Sequence, residues 1–309
     1  MQAKKEQMQL RYYDVPQKEG VLALLGENWI REYGEGIDYL HFHNLLEIGI
    51  CRDGEGEMIF DEEVMPYGPG IITVIPRRFP HTTNSRKGTK SFWEYLYLDP
   101  GTLLREILGE NEIRASRALD LIGRNVIFGQ GSDYDSLWSI VNAIMEEMRD
   151  RRRFYVEKVR GLLFSLLFEI ARVSELDGRL RVSNKIGVAQ VQNALDYVDG
   201  HFQETVRISE LADACSMSET HFRRLFNRYL NMTPVEYVNQ VRILRACEML
   251  RTSNDAMTRI AERCGFSSIS AFDRNFRRII GVTPYQWKKD PGNYERKLLE
   301  VNVSVQKGW

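Results

Sequence analysis

The sequence predicts a multidomain α+β protein: a β-rich N-terminal domain, two long helices, and an all-α C-terminal domain containing two helix-turn-helix units. Three observations carry that prediction. Residues 40–98 fall into short β-branched and aromatic runs cut by turn residues, residues 134–176 have helical periodicity, and residues 208–287 contain one pattern twice. Leu211-Ala212 answers Ile260-Ala261 and Cys215 answers Cys264, each 49 residues on. Phe222 answers Phe272, Phe226 answers Phe276, and Thr233-Pro234 answers Thr283-Pro284, each 50 residues on. The repeated unit is a short helix, a tight turn and a basic helix, the unit that can set a helix in the major groove of DNA.

In the N-terminal region the punctuation is Asp53-Gly54, Asp61-Glu62, Tyr67-Gly68-Pro69-Gly70 and Lys87-Gly88, with β-rich runs at 57–60, 71–75 and 92–98. Many short strands at that spacing predict a sandwich or barrel. Two helices follow. Residues 134–151 place Leu137, Ile140, Val141, Ile144, Met145 and Met148 on one stripe; residues 155–176 do the same with Val156, Val159, Leu162, Leu163, Leu166, Leu167, Ile170 and Val173. The second is apolar over more than one face around Leu162, Leu163, Leu166 and Leu167, so it needs two partners, and a helix from a second chain is the expected one. The resulting division is 1–128 for a sensing domain, 129–177 for dimerisation helices, 178–185 for a polar linker, 186–291 for DNA binding and 292–309 for a tail.

Composition agrees with a cytoplasmic, globular chain. Hydrophobic residues make up 43% and charged residues 28% of 309. The net charge of −1 hides an asymmetry: residues 1–177 hold 22 Lys/Arg against 29 Asp/Glu, and residues 178–309 hold 20 against 14. Only one half is expected to meet a polyanion. Cys51, Cys215, Cys247 and Cys264 lack metal-site spacing, and no apolar run is long enough for a signal peptide or a membrane span.

Within each repeat the parts have separate reasons. Ala212 and Ala261 are small where two helices cross. Gly265 suits the left-handed conformation of a tight turn, and Ser216 occupies that place in the first unit. Ser218 and Ser268 are placed to cap the next helix. Phe222, Leu225, Phe226 and Tyr229 fall at helical spacing and face the core, which leaves Thr220, Arg223, Arg224 and Asn227 outward. In the second unit Phe272, Phe276 and Ile279 face in, leaving Ser270, Asp273, Arg274 and Arg277 outward. Arginine can donate two bonds to guanine, and aspartate can accept from cytosine. Residues 235–250 join the units as a helix about 24 Å long, a spacer suited to recognition helices about one DNA turn, roughly 34 Å, apart.

At these residues the chain resembles the AraC/XylS family of bacterial transcription regulators. The matching patterns are LAxxCxMSxxHFxRLF at 211–226, TPxEYxxxxRxxxAxxxL at 233–250 and IAxxCGFxxxxxFxRxFRRxxGxTPxxW at 260–287. The resemblance implies an operator in double-stranded DNA, a homodimer, a small-molecule effector, contact with RNA polymerase and, in most members, activation. It also implies that Arg242 and Arg245 belong to a linker helix that packs the two units together. Asn231, where the family usually has Gly, and Ile269, at the start of the second recognition helix, depart from the pattern.

Residues 36–54 (GIDYLHFHNLLEIGICRDG) are similar to the first cupin motif, with His41, His43 and Glu47. Residues 70–81 (GIITVIPRRFPH) resemble the second, with His81, but with Arg78 where that motif has Gly. His41, His43 and Glu47 share parity, so on one strand they would point to one face. The resemblance implies a cupin-like barrel or jelly roll whose mouth takes the effector, with Tyr39, His41, His43, Glu47, His81, Trp93 and Tyr95 as contact candidates. Aromatic faces with a carboxylate and imidazoles suit a sugar, and would also suit an amine or aromatic acid. The expectation is that no cofactor and no catalysis are involved. The alternative is a divalent metal on His41, His43, Glu47 and His81, and with it a metal-dependent enzyme carrying a DNA-binding appendage.

Overall fold

The computed structural model describes residues 8–289 apart from 12, 14, 17, 35–39, 61–62, 110, 177–179, 182–189 and 231. The candidate Tyr39, the departure at Asn231, most of the expected linker and the tail at 292–309 lie outside the described residues. The chain divides into two compact units, Leu10–Ser183 and Asn184–Trp309, the latter together with Met1–Gln9.

In the first unit two sheets stack. The strands are β1 (Met8–Arg11), β2 (Leu22–Leu24), β3 (Ile30–Arg31), β4 (Leu40–His43), β5 (Leu46–Asp53), β6 (Gly56–Phe60), β7 (Glu63–Tyr67), β8 (Ile71–Ile75), β9 (His81–Ser85), β10 (Ser91–Leu98), β11 (Asn125–Gln130) and β12 (Leu180–Arg181). One sheet runs β1-β4-β9-β6-β7. The other runs β12-β11-β8-β5-β10-β2, with β3 also on β10. The antiparallel order produces the jelly-roll-like barrel that the turn spacing predicts. Side chains meet across the interior: Tyr67 is 5.0 Å from Trp93, and Phe60 is 5.6 Å from Phe128.

The central strands are covered on both faces, which explains their near-continuous apolar runs. On β5, Leu46, Ile48 and Ile50 join Leu96 and Leu98 of β10 in a core with the helices. Residues of the other parity, including Glu47, Trp93, Tyr95 and Tyr97, turn to the barrel interior.

Those helices are α1 (Pro100–Leu108), α2 (Glu112–Ile122), α3 (Asp135–Asp150) and α4 (Tyr155–Leu176). The first two differ from the sequence analysis, which has no helix within the β domain, whereas β11 (Asn125–Gln130) continues its sheet. Their start signals are present. Asp99 caps α1, accepting from Gly101 N at 3.0 Å with Pro100 in the first turn, and Asn111 caps α2, accepting from Arg114 N.

A second correction concerns α4. Leu163, Leu166 and Leu167 are buried in this chain's own core, between the sheet and α1, α2 and α3. The extra apolar face that suggested a second chain is taken by α1 and α2, whose existence the sequence reading missed.

The second unit is helical: α5 (Gln192–His201), α6 (Ile208–Ala214), α7 (Glu219–Leu230), α8 (Pro234–Thr252), α9 (Met257–Arg263), α10 (Ile269–Ile280) and α11 (Pro284–Lys289). The repeated Thr-Pro has a local cause. Thr233 N donates to Glu236 Oε2 (2.7 Å) while Glu236 N donates to Thr233 Oγ1 (3.2 Å). Thr283 and Gln286 exchange the same pair at 3.0 and 3.1 Å. Each is a capping box with proline in the first turn, so each Thr-Pro starts a helix.

Candidate functional site

The two turns that aim the recognition helices are built as the sequence requires. Gly265 has φ +80° and Ser216, its counterpart, φ +54°. A Cβ on Gly265 would lie 2.5 Å from the Phe202 carbonyl oxygen, so the position admits glycine for both conformation and space. Ser218 Oγ accepts from His221 N (3.4 Å) and Ser268 Oγ from Ala271 N (3.2 Å), capping α7 and α10.

On α7, Phe222, Leu225 and Phe226 are buried, Tyr229 is half-buried and donates to Gln190, and Thr220, Arg223, Arg224 and Asn227 are exposed. On α10, Phe272 and Phe276 are buried; Ser270, Arg274 and Arg277 are exposed, and Asp273 is half-buried. The inward residue of the last turn is Ile280 rather than Ile279, which is half-buried: α10 closes on Gly281 at φ +82°, and its final residue rolls into the core. Exposed Arg228 and Arg278 widen the basic faces beyond the predicted set.

The helix α8 ties the units together through Arg242. Its Nε donates to the Phe202 carbonyl (2.8 Å) and an Nη to the Glu204 carbonyl (2.7 Å), while its guanidinium lies 5.7 Å over the Phe266 ring. Arg245 lies 5.8 Å over Phe202. Both belong to the joining helix, as the family pattern implies.

In the other unit the candidate effector residues converge, though by another route than one shared strand. His41 and His43 lie on β4, and Glu47 lies on β5 in the opposite sheet, beyond the turn at Asn44-Leu45. They meet because the sheets face each other. His81 on β9 is the direct cross-strand partner of His41. All four are nearly sealed, at 5% exposure for His41, 2% for His43, 3% for Glu47 and 1% for His81. The imidazole centroids are 4.4 to 5.0 Å apart. The second motif keeps its shape despite Arg78: that residue takes φ +62°, the conformation a glycine would adopt, and its N–H donates to the His43 carbonyl (2.7 Å).

Hydrogen bonds fix one nitrogen of each ring. His43 Nδ1 donates to Glu47 Oε2 (3.1 Å), His81 Nδ1 to the Phe79 carbonyl (2.9 Å), and Arg11 Nη1 donates to His41 Nε2 (3.1 Å). Tyr97 Oη also donates to Glu47 Oε2 (2.9 Å). Burial opposes the charge on Glu47, but His43, His81 and Tyr97 outweigh it and hold its pKa down to about 2. Burial, with Arg11 and the neighbouring imidazoles, drives His41 well below the usual histidine range; burial does the same to His43. The Glu47 carboxylate is therefore ionised beside the neutral rings of His41 and His43.

Tyr13 closes this end of the interior, 4.3 Å from Tyr97 and 5.3 Å from His43, clamped by Asn44 through two 2.8 Å bonds. From Tyr97 an aromatic ladder runs through Tyr95 to Trp93, with centroids 6.2 and 6.0 Å apart. Among the described residues, His41 Nδ1, His43 Nε2, His81 Nε2, Trp93 Nε1 and Asn84 Oδ1 are buried with no hydrogen-bond partner. Each such group costs about 1–3 kcal/mol. Those on the three imidazoles and Trp93 belong to residues of the inward-facing parity, and unsatisfied groups gathered in one interior call for a specific explanation.

Comparison with known proteins gives a family model in each of the two units. An AraC-like ligand-binding domain matches residues 31–167, and a helix-turn-helix domain matches residues 211–290. The HTH-type transcriptional activator RhaS of Escherichia coli O81 (strain ED1a) is 25% identical over 260 residues, covering 79% of this chain and 85% of its own. RhaS of Klebsiella pneumoniae (strain 342) is 25% identical over 258 residues, with the same coverage. Among solved structures, ToxT from Vibrio cholerae covers 87% of this chain and 96% of its own at 13% identity and a TM-score of 0.39. With an AraC-like ligand-binding domain followed by paired helix-turn-helix units, the chain is a DNA-binding, ligand-responsive transcription regulator similar to RhaS, rather than an enzyme.

Proposed function

We propose that the protein is a transcriptional activator whose N-terminal barrel takes a sugar or a related polyol. The observation that carries the effector class is the set of unpartnered polar groups on the barrel interior. Trp93 Nε1 can donate from among aromatic faces, and the ionised carboxylate of Glu47 stands at the other end of the Trp93–Tyr95–Tyr97 ladder. Sugar hydroxyls both donate and accept, and their C–H faces stack on aromatic rings. Activation is supported by the relatives that are named transcriptional activators. Contacts to base edges are assigned to Thr220, Arg223, Arg224 and Asn227 of α7 and to Ser270, Asp273, Arg274 and Arg277 of α10. RNA polymerase is the partner an activator requires. No helix among the described residues is long and apolar enough to cross a membrane, and a cytoplasmic location is part of this reading.

A homodimer belongs to it as well, with a changed surface. Since Leu163, Leu166 and Leu167 serve the core, the large apolar residues that α4 leaves outside are Phe168, 41% exposed, and Leu176 at its end, 83% exposed; Phe168 is the one within the helix body. The test of the whole reading is a thermal-shift screen of sugars and polyols, followed by operator binding and in vitro transcription with any stabilising compound. A stabilising sugar that changes transcription supports it. A screen in which only amines or aromatic acids act overturns the effector class.

A further inference from the structure

The acidic sum of residues 1–177 hides a local reversal. Residues 149–158 (RDRRRFYVEK) hold five Lys/Arg against two Asp/Glu. At their centre, residues 151–154 form the turn between α3 and α4. All four are exposed, Phe154 to 64%. The turn is nonetheless held at both ends. Arg151 N donates to the Glu147 carbonyl (2.9 Å), Tyr155 N to the Arg152 carbonyl (3.0 Å) and Lys158 N to the Phe154 carbonyl (3.1 Å). Tyr155 Oη donates to Glu19 Oε1 (2.9 Å), and the neighbouring Lys18 lines the same open depression as the arginines. Arg151 and Phe154 take φ +47° and +65°, a region that L residues seldom adopt. The backbone thus holds outward a ring that would be more stable buried, and strain of this kind gathers at functional places.

Not all of these charges are neutralised. Arg152 pairs with Asp150 (2.6 Å) and Lys158 with Glu147 (2.5 Å). Arg151 Nε donates only to the Met148 carbonyl (3.3 Å), and Arg153 lies 4.8 Å over the Phe154 ring. Neither of these arginines, nor Lys18, has an acidic partner among the described residues. Cations that answer no acid, set around an exposed aromatic ring, suit nucleic acid: the cations neutralise phosphates, and an apolar side chain wedges against base steps in a groove. A lipid surface would need a broader apolar face than one ring.

We propose that the α3–α4 turn is a second DNA contact, holding duplex that flanks the bases read by the recognition helices, with Lys18, Arg151 and Arg153 on phosphates and Phe154 in the adjoining groove. The contact lies outside the helix-turn-helix units and needs only that the second unit holds DNA. The first unit then meets the same duplex at high effective concentration. The connection at residues 182–191 extends at most roughly 36 Å, about one duplex turn, and α4 rises about 33 Å from the turn to Leu176. DNA within about two turns of the second unit is therefore in reach. An acidic domain tethered there is repelled by phosphates, and at this turn the force reverses.

The test uses the full chain and two duplexes. One is a short core selected by this protein from a random-sequence pool. The other is the same core with about 20 base pairs of arbitrary sequence, two turns, on each side. For the parent the flanks should tighten binding by about tenfold and steepen the log–log salt slope by about 2–3. Arg151→Glu/Arg153→Glu, checked for fold by circular dichroism, should lose that gain while binding the core within about twofold of the parent. Phe154→Gly removes the ring and frees the backbone; it should lose part of the gain with no change in charge. Arg224→Ala should do the reverse, losing affinity for the core and keeping the gain from the flanks. The proposal is overturned if the flanks add nothing to the parent, or if the folded double variant keeps the whole gain. It is equally overturned if the double variant differs from the parent only in binding vesicles of phosphatidylglycerol, which would make the turn a membrane contact. Failure of Arg224→Ala alone overturns the register of α7 and leaves the contact at the turn standing.

Discussion

Arg224 stands exposed on α7 beside Arg223, which is already drawn to Glu219 at 3.5 Å. Its removal as Arg224→Ala should cost about 1–3 kcal/mol of operator affinity and relax preference at one base position. A competition assay with single-base operator variants measures both, and an unchanged preference would show that α7 meets DNA in another register. Ser216 offers a test of opposite sign. It holds a left-handed conformation that costs an L residue about 1–2 kcal/mol, whereas Gly265 holds the same place without that cost. Ser216→Gly should raise stability by about 0.5–1 kcal/mol after allowing for the looser unfolded chain, read as an upward shift in the urea midpoint. In the barrel, Glu47→Ala and Trp93→Ala should weaken the effector's influence on transcription while leaving effector-free DNA affinity close to the parent's. Folded variants that respond like the parent would remove this interior from the sensing reaction.

Among the elements, the repeated helix-turn-helix units were readable because every part has a local cause: alanines at the crossing, a left-handed residue in the turn, a serine cap, a Thr-Pro capping box. The convergence of His41, His43, Glu47 and His81 was readable as a set, but its route was not. Parity along one strand and opposition of two facing sheets both bring such residues together, and only the turn at Asn44-Leu45 decides between them. The helices α1 and α2 were missed although Asp99-Pro100 and Asn111 signal their starts, because a run of strands upstream set the expectation for what followed. That omission then misdirected the reading of α4, whose surplus leucines needed partners the sequence reading had not supplied. The consequence is testable. Leu166→Ala should cost about 2–5 kcal/mol as a core cavity, whereas Phe168→Asp should leave the fold intact and shift sedimentation towards monomer. A folded, still dimeric Phe168→Asp protein would place the subunit contact away from this face of α4.

For the whole molecule, two bulk variables separate its halves. Binding through two basic helices should fall steeply with salt; about six phosphate contacts would give a log–log slope near −5, and a flat slope would take these helices off DNA. Acid acts on the other unit through Glu94, buried among Arg52 at 2.9 Å, Arg149 at 2.8 Å and the Gly26 amide at 3.0 Å. Burial opposes its charge, yet the amide and the two arginines prevail, and its pKa lies below the usual carboxylate value. A group depressed on folding stabilises the native state fully above its unfolded pKa and loses that contribution as pH falls towards the native one. The barrel should therefore keep its melting temperature down to about pH 5 and lose it below. Glu94→Gln should melt lower at neutral pH and show a shallower acid limb; an identical limb would assign acid sensitivity to other groups.

The unbroken helix α8 also constrains the gene it serves. Nineteen residues without an internal glycine or proline make a strut about 28 Å long that cannot stretch. The two short tracts of bases read by one protomer must then lie on the same side of the duplex, about one turn apart. Lengthening the spacer between the tracts by about half a turn would carry one of them to the far side, and a full turn would restore the facing but not the reach. An operator of this protein should thus tolerate base changes within its spacer far better than any change in the spacer's length.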